Sequence, residues 1–347
     1  MKQIVRVGNA IAIRDVPIPH ASPGFIVVRN SYSLISTGTE TRSLRNSSAL
    51  VKGITTISRK IFAPQKAYAN LGYTCAGVIE EIGEGVHGFA LGDRVLCVGF
   101  DYAVHAEIVK VPAPLVFHLP QTISFTHAPF AALGSVALHA LRRSNIAFGE
   151  KALVIGLGLT GQLLVRLLLL NGCSVIGVDP NDYKITLAQK AGGEYIKGKR
   201  DFAQTVLDKT GHGVDVAFVC TDMHDNENLE EIMTTIRDRG KLVAVANITC
   251  SLPFPLFFRK ELDLIVSRSF GPGRFDKEYE EKGIDYPLGY VRWTERRNIE
   301  EVLRLLGEQK LVVDPLISAE YPIQHAQQAY HSLLGRTRPV ALLLKYS

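Results

Sequence analysis

The chain has 347 residues, long enough for two domains that each bury their own core. Hydrophobic residues make up 46% and charged residues 21%, a balance that excludes a disordered chain. The formal charge of +5 comes with no lysine/arginine tract and no interleaved aromatic run, so it points away from nucleic acid and toward an anionic small molecule. The opening MKQIVRVGNAIAIRDV alternates charged and apolar residues and lacks a signal peptide's apolar core. The most apolar run, 163–170, contains Arg166 and is too short to span a bilayer, so no membrane association is expected. Cys75, Cys97, Cys173, Cys220 and Cys250 are scattered and form no CxxC pair. They read as free thiols of a cytoplasmic protein.

The first third alternates short strands with glycine turns. Strands are predicted at 24–33, 76–82, 93–98 and 106–111, with turns at Gly83-Glu84-Gly85 and Leu91-Gly92-Asp93. That pattern predicts a small β-barrel-type domain. Near Ser124 it changes to helix, and from Lys151 to strand–helix alternation. After the strand that runs into Gly156, further strands are predicted at 174–178, 214–220, 241–245 and 263–267. Helices fall at 182–191, 202–209 and 229–237, which implies an α/β, doubly wound parallel sheet. Helices at 299–306 and 323–334 and a strand at 340–344 follow. The expected division is therefore 1–123 with 290–347 as one domain and 124–289 as the other.

The stretch from Lys151 to Asp179, KALVIGLGLTGQLLVRLLLLNGCSVIGVD, carries the clearest chemistry. Gly156 allows a tight turn, Gly158 lets backbone approach a pyrophosphate, and Gly161 lets helix and strand pack closely. The amides of Leu157, Leu159 and Thr160 lie where the opening helix turn presents free N–H groups to phosphate. Asp179 ends the second strand, where it accepts from both ribose hydroxyls and repels a 2′-phosphate. A GxGxxG within a full βαβ unit with its acid identifies NAD as the cofactor. Ligands sit at the carboxyl ends of such strands, which adds Cys220, Thr221, Ala246 and Asn247. Lys184, five residues beyond Asp179, is placed near the adenosine ribose and leaves some room for NADP.

The order of domains, Gly92-Asp93-Arg94-Val95, and the helix 135–143 (SVALHALRR) resemble the medium-chain alcohol dehydrogenase superfamily over essentially the whole chain. The resemblance implies a GroES-like β-barrel-type catalytic domain followed by a Rossmann domain. Within the superfamily, SLISTGTE at 33–40, GYTCAG at 72–77, YAVHAE at 102–107 and SRSFGPGRFDKEYEEKGIDYPLGYVRWT at 267–294 look like one subgroup. That subgroup is the dehydrogenase half of bacterial bi-domain oxidoreductases, which tend to be associated with sugar and polysaccharide metabolism. The resemblance also places Ser269 toward the nicotinamide and implies a homodimer, with the segment 251–258 as a sheet edge able to pair across a two-fold axis.

The departures from that family bear on mechanism. The positions of the catalytic zinc ligands read Thr37, Tyr73 (with Thr74 after it) and Ala132, and the structural zinc lobe's closely spaced cysteines are absent. Hydroxyls do not make the N/S site zinc prefers, so no metal is expected. Charge on the reacting oxygen must then be handled by hydrogen-bond donors or a general acid–base. The candidates are Tyr73, His105 and Thr39. Thr39 matches the superfamily's relay hydroxyl, but Arg42 stands where a relay histidine often follows, and Glu40 is read as holding Arg42 or another cation. Tyr73 reads equally well as space-filling, and His105 as a structural histidine. In the run 267–294, Arg274, Tyr290, Arg292 and Trp293 suit a sugar ring or an anionic group, or else shape a packing loop. The leading reading is an NAD-dependent, zinc-independent oxidoreductase acting on a hydroxyl or ketone of a sugar-like substrate. A reductase of enones or quinones and a non-catalytic NAD-binding subunit are the other two.

Overall fold

The computed structural model describes residues 1–8, 10–45, 68–335 and 339–346; the side chains of 42–45 lie outside the described residues, and with them the altered relay expected at Arg42. Two compact units emerge. The first takes in Met1–Pro129, Lys277–Ile284 and Ile317–Ser347, the second Phe130–Asp276 and Asp285–Leu316. The chain thus returns to the first unit twice, briefly at Lys277–Ile284 and then from Ile317 onward.

In the first unit β1 (Lys2–Val7), β2 (Ala10–Asp15) and β4 (Ala69–Asn70) form a three-stranded sheet. The hairpin of β1 and β2, not predicted from sequence, pairs from Lys2↔Asp15 to Val7↔Ala10. The larger sheet is built on β3 (Phe25–Ile35), which leads into α1 (Thr37–Arg45). It also contains β5 (Thr74–Ile82), β6 (Arg94–Val98), β7 (Ile108–Pro112), β8 (Val116–His118), β15 (Ile317–Pro322) and β16 (Ala341–Lys345). β3 is eleven residues long, which lets its first half pair with β7, its second half with β16, and β5 run along its other edge. Gly77 in β5 is required by that crossing, since a Cβ there would lie 1.9 Å from the Arg29 carbonyl oxygen. His105 sits in the bend before β7; its own N–H and C=O bond to Leu71 O and Ile4 N, each at 2.8 Å. Helix α8 (Lys277–Glu280) and helix α10 (Ala326–Ser332) complete this unit.

The second unit opens with α2 (Phe130–Ser144). Its sheet comprises β9 (Lys151–Ile155), β10 (Ser174–Asp179), β11 (Glu194–Lys197), β12 (Val214–Val219), β13 (Ile236–Ala244) and β14 (Asp263–Val266). All pairings are parallel, in the order β11-β10-β9-β12-β13-β14. Strand order reverses between β9 and β12, the place where such sheets open a crevice for a nucleotide. The strands read as continuous apolar runs because helices cover both faces; Ala152, Leu153 and Val154 are wholly buried. The helices are α3 (Leu159–Leu170), α4 (Asp182–Gln189), α5 (Ala203–Thr210), α6 (Asn226–Thr235), α7 (Phe254–Arg259) and α9 (Glu295–Gly307).

Two predicted boundaries shift for physical reasons. The helix expected to reach 237 stops at Thr235, because Ile236 and Arg237 already belong to β13, where Arg237 Nε meets Asp215 Oδ1 of β12 at 2.6 Å. The segment 251–258 is not a sheet edge: it leads into α7, and the edge strand is β14. Helix α9 belongs to this unit because its Ile299, Val302, Leu303 and Leu306, spaced as one helix face, are buried. Val302 packs where a Cβ on Gly134 of α2 would lie 2.6 Å from its methyl group. No helix among the described residues is long and apolar enough to cross a membrane.

Candidate active site

The glycine turn in the second unit is tightly packed at two of its three glycines. Gly156 has φ +91°, and a Cβ on it would press on the Thr221 side chain at 2.9 Å. A Cβ on Gly161 would lie 2.0 Å from the Gly156 carbonyl oxygen, whereas one on Gly158 would meet nothing within 4 Å. Two glycines are therefore demanded by the protein's own packing, and the third keeps a space open. Gly158 caps α3 without a side-chain bond, so the N–H groups of the first helix turn, at Leu159, Thr160 and Gly161, have no partner inside the helix. Asp179 is buried; its Oδ2 accepts from the Leu157 N–H and its Oδ1 from the Asn181 N–H, both at 2.9 Å. Each oxygen retains a lone pair for a ribose hydroxyl. Lys184 Nζ lies 3.7 Å from the same carboxylate, so its first partner is Asp179.

Gln162, which the sequence did not single out, ties the turn to its surroundings by donating to Leu157 O (3.2 Å) and Lys184 O (2.8 Å). Cys220 and Thr221 follow β12, Ala246 and Asn247 follow β13, and Ser269 follows β14, all at the carboxyl ends of the strands. Burial pushes the Cys220 thiol up to about 12, so it is a packing group rather than a nucleophile. Ser267 Oγ, at the same edge, is buried with no hydrogen-bond partner among the described residues. An open space over Gly158, unused helix amides and an orphaned hydroxyl fit a bound dinucleotide.

In the first unit α1 and β5 bring Tyr73 and Thr39 together. The Ser36 and Thr39 hydroxyls hydrogen-bond Tyr73, whose ring stacks on Phe100 at 4.4 Å. Burial, and less strongly the Glu40 charge, push the Tyr73 phenol well above its ordinary value, against the pull of those two hydroxyls. Tyr73 therefore stays protonated throughout the neutral range.

Behind it lies a fully connected buried network. Glu40 Oε1 accepts from the Ser36 N–H at 2.8 Å, and Oε2 accepts from Tyr330 and from His105 Nε2, the latter at 3.2 Å. Because the carboxylate accepts, the imidazole proton is assigned to Nε2, leaving Nδ1 to accept from Ser33 Oγ at 2.7 Å. Ser33 in turn accepts from Tyr346 at 2.6 Å. Both His105 nitrogens are thus engaged and the ring is fully buried. The structure brings His105 into the Tyr73 cluster through Glu40, but behind it rather than at a face open to a ligand. Ser33, Ser36, Tyr330 and Tyr346 were missed from sequence. Ser36 and Glu40 carry a helix N-terminus signature, but Tyr330 and Tyr346 join from 290 and 313 residues along the chain.

Among the described residues no three His, Cys, Asp or Glu side chains converge to hold a metal ion. At the positions that the resemblance aligns with zinc ligands in this unit, Thr37 and Tyr73 offer hydroxyls, with Tyr73 already bonded to Ser36 and Thr39. This donor set does not fit zinc.

In the run 267–294 the second unit gives the predicted substrate residues different surroundings. Arg274 is buried and stacks over Phe275 at 4.0 Å, whereas Tyr290 is 91% exposed. Trp293 is covered: Arg142 Cζ lies 3.3 Å and Arg292 Cζ 3.8 Å from its ring centre. One face cannot hold both groups that close, so a guanidinium covers each, and Trp293 has no open face for a sugar ring. Nearby, burial and then Arg143, Arg142 and Arg268 push His139 down to about 4. A histidine depressed from its ordinary value near 6.5 favours the folded state above that value. Stability should therefore fall by up to about 3 kcal/mol as pH drops from about 6.5 to about 4. Urea titrations at stepped pH should show a weaker loss in His139→Leu.

Comparison with known proteins matches this architecture. A family model described as "Alcohol dehydrogenase GroES-like domain" matches residues 44–121, and one described as "Zinc-binding dehydrogenase" matches 160–282. The chain is 27% identical to 2-dehydro-3-deoxy-L-galactonate 5-dehydrogenase of Pseudoalteromonas atlantica, over 83% of this chain and 85% of that one. It is 25% identical to sorbitol dehydrogenase of Halalkalibacterium halodurans, over 78% and 81%. The crystal structure of 2R,3R-butanediol dehydrogenase from Bacillus subtilis shares the fold, with a TM-score of 0.79 at 20% identity over 99% of each chain. With a GroES-like segment matched ahead of a zinc-binding-dehydrogenase segment, the chain belongs to the medium-chain dehydrogenase superfamily of NAD(P)-using oxidoreductases.

Proposed function

We propose that this protein is an NAD-dependent, zinc-independent oxidoreductase that moves a hydride between the nicotinamide and a hydroxyl or ketone carbon of a sugar- or polyol-like substrate. The observation that carries the reading is the Gly156–Gly161 turn joined to the buried Asp179 carboxylate. Gly158 and the α3 amides hold the pyrophosphate, and Asp179 takes the ribose hydroxyls and rejects a 2′-phosphate. Cys220, Thr221, Ala246, Asn247 and Ser269 line the same edge. The sugar-like substrate is supported by relatives named for a sugar acid and for sorbitol. Exposed Tyr290 and Arg292 are its proposed contacts, with Arg274 and Trp293 supporting them.

Nicotinamide, when bound, gives or takes the hydride. The protein's task is the proton. In the reducing direction the ketone oxygen gains negative charge as its carbon gains hydride. Tyr73, held protonated, donates to that oxygen; Ser36 and Thr39 donate to the Tyr73 oxygen and disperse the charge left on it. Thr39 is exposed and returns a proton from water. Glu40 opposes ionisation of Tyr73, and His105 positions Glu40 rather than touching substrate. Tyr73→Phe should lower kcat about 10²- to 10³-fold while leaving the dissociation constant of NADH unchanged. Steady-state kinetics beside a cofactor titration read this, and an unaltered kcat would remove Tyr73 from the mechanism. A tighter fit for NADPH than for NADH would count against the Asp179 assignment.

A homodimer is part of this proposal. β14 is an edge strand whose Leu264 and Val266 are exposed, with Phe254 and Phe258 nearby in sequence, and a second copy would cover them. Light scattering that returned a monomer at micromolar concentration would reject it.

A further inference from the structure

Arginines in the second unit divide sharply into two kinds. On α9, Arg296 meets Glu300 at 2.9 Å, Arg297 meets Asp285, and Arg304 holds Glu301 and Glu308. Among the described residues no carboxylate comes within ion-pair distance of Arg142, Arg143, Arg268 or Arg292. These four come from three separate stretches of chain. Two of them are locked on opposite faces of Trp293, and three press their charge on the single His139 ring. Glu301, whose charge reaches Arg142, is itself held by Arg304 through both oxygens at 2.7 and 3.1 Å.

Arg142 is also held in place. Arg142 donates to Asn298 Oδ1, and Asn298 Nδ2 donates to Phe270 O at 2.8 Å. Gly271, at φ +108°, lets that loop lie where a Cβ would be 2.8 Å from Asn298 and 3.0 Å from His139. Guanidinium groups held in place, without acidic partners, lose little entropy on meeting an oxyanion and offer it paired N–H donors. Arg143, Arg268 and Arg292 are exposed, so an anion can reach them. Burial above all pulls Arg142 down to about 10; the Glu301 charge opposes this and the Arg292 charge adds a smaller pull.

The geometry points to a phosphate-class oxyanion site built from Arg142, Arg292, Arg268 and Arg143 around Trp293. It shares Arg292 and Trp293 with the proposed substrate contacts, but its test needs no turnover and so fails or succeeds apart from the proposed reaction.

Trp293 is the only tryptophan in the chain, so its emission reports the site directly. Inorganic phosphate should produce a saturable change in that emission, and potassium chloride at matched ionic strength should not. The change should persist in Gly158→Asp, which places a carboxylate in the dinucleotide cradle and leaves the arginines untouched. Arg292→Ala and Arg268→Ala, both at exposed positions, should each weaken the response about tenfold or more. Lys209→Ala, which removes one positive charge from a pair with Glu194, should leave it unchanged. A response that chloride reproduces, or one indifferent to Arg292 and Arg268, overturns the site. Two sources of the anion separate in the same assay. A sugar phosphate that is turned over with a KM raised by Arg292→Ala marks it as part of the substrate, while phosphate that binds without affecting turnover marks a separate effector.

Discussion

Replacing Glu40 with alanine is expected to be among the most destabilising single changes in the chain, by about 3–5 kcal/mol. The carboxylate is the acceptor for three buried donors, the Ser36 N–H, the Tyr330 hydroxyl and His105 Nε2. Alanine would strand all three without water. Glu40→Gln should cost less, because the network can partly reverse. Its amide N–H₂ can donate to His105 Nε2, the ring proton then moves to Nδ1 and donates to Ser33, and Ser33 donates to Tyr346. Glu40→Gln also removes the charge that adds to burial in raising Tyr73. Phenolate absorbance should therefore show Tyr73 ionising at lower pH than in the unaltered protein, though still above an ordinary tyrosine. Equal stability of Glu40→Ala and the parent in urea would show that the network is not what holds this unit together.

The second large effect concerns two glycines that lie three residues apart and should behave differently. Gly161→Ala places a methyl 2.0 Å from the Gly156 carbonyl oxygen. The turn must shift, so both stability and NADH affinity should fall, the affinity by about 100-fold or more. Gly158→Ala meets nothing within 4 Å and has an ordinary negative φ, so the fold should keep its stability. Its methyl fills the space left for the pyrophosphate, and affinity alone should drop. Paired measurements of melting temperature and NADH fluorescence separate the two cases. A Gly158→Ala variant that bound NADH normally would remove the turn from the cofactor assignment.

The sequence announced the second unit well and the first only in outline. Strand, glycine turn, helix and acid are a local pattern, so Gly156, Gly158, Gly161 and Asp179 were legible within thirty residues of chain. Gln162 was not, because a polar residue on an apolar helix has no signature until its acceptors, Leu157 O and Lys184 O, are placed by the fold. Tyr73, Thr39 and His105 were each named as candidates, but nothing local says that Glu40 joins them, or that Tyr330 and Tyr346 close the network from the far end of the chain. β1 and β2 were missed because their strands are only partly buried, so charged and apolar residues mix. Trp293 shows the reverse error. Its residue type suited a sugar platform, and only the fold reveals that Arg142, 151 positions earlier, covers one face while Arg292 covers the other.

The proposed hydride transfer depends on protein hydroxyls rather than on zinc. The most direct test follows NADH oxidation against a panel of keto-sugars and keto-sugar acids, before and after exhaustive chelation, with the metal content of the same sample measured. Turnover that chelation does not change, with well under one zinc per chain, is the expected result. Turnover lost on chelation and restored by zinc, or one tightly bound zinc per chain, would contradict it.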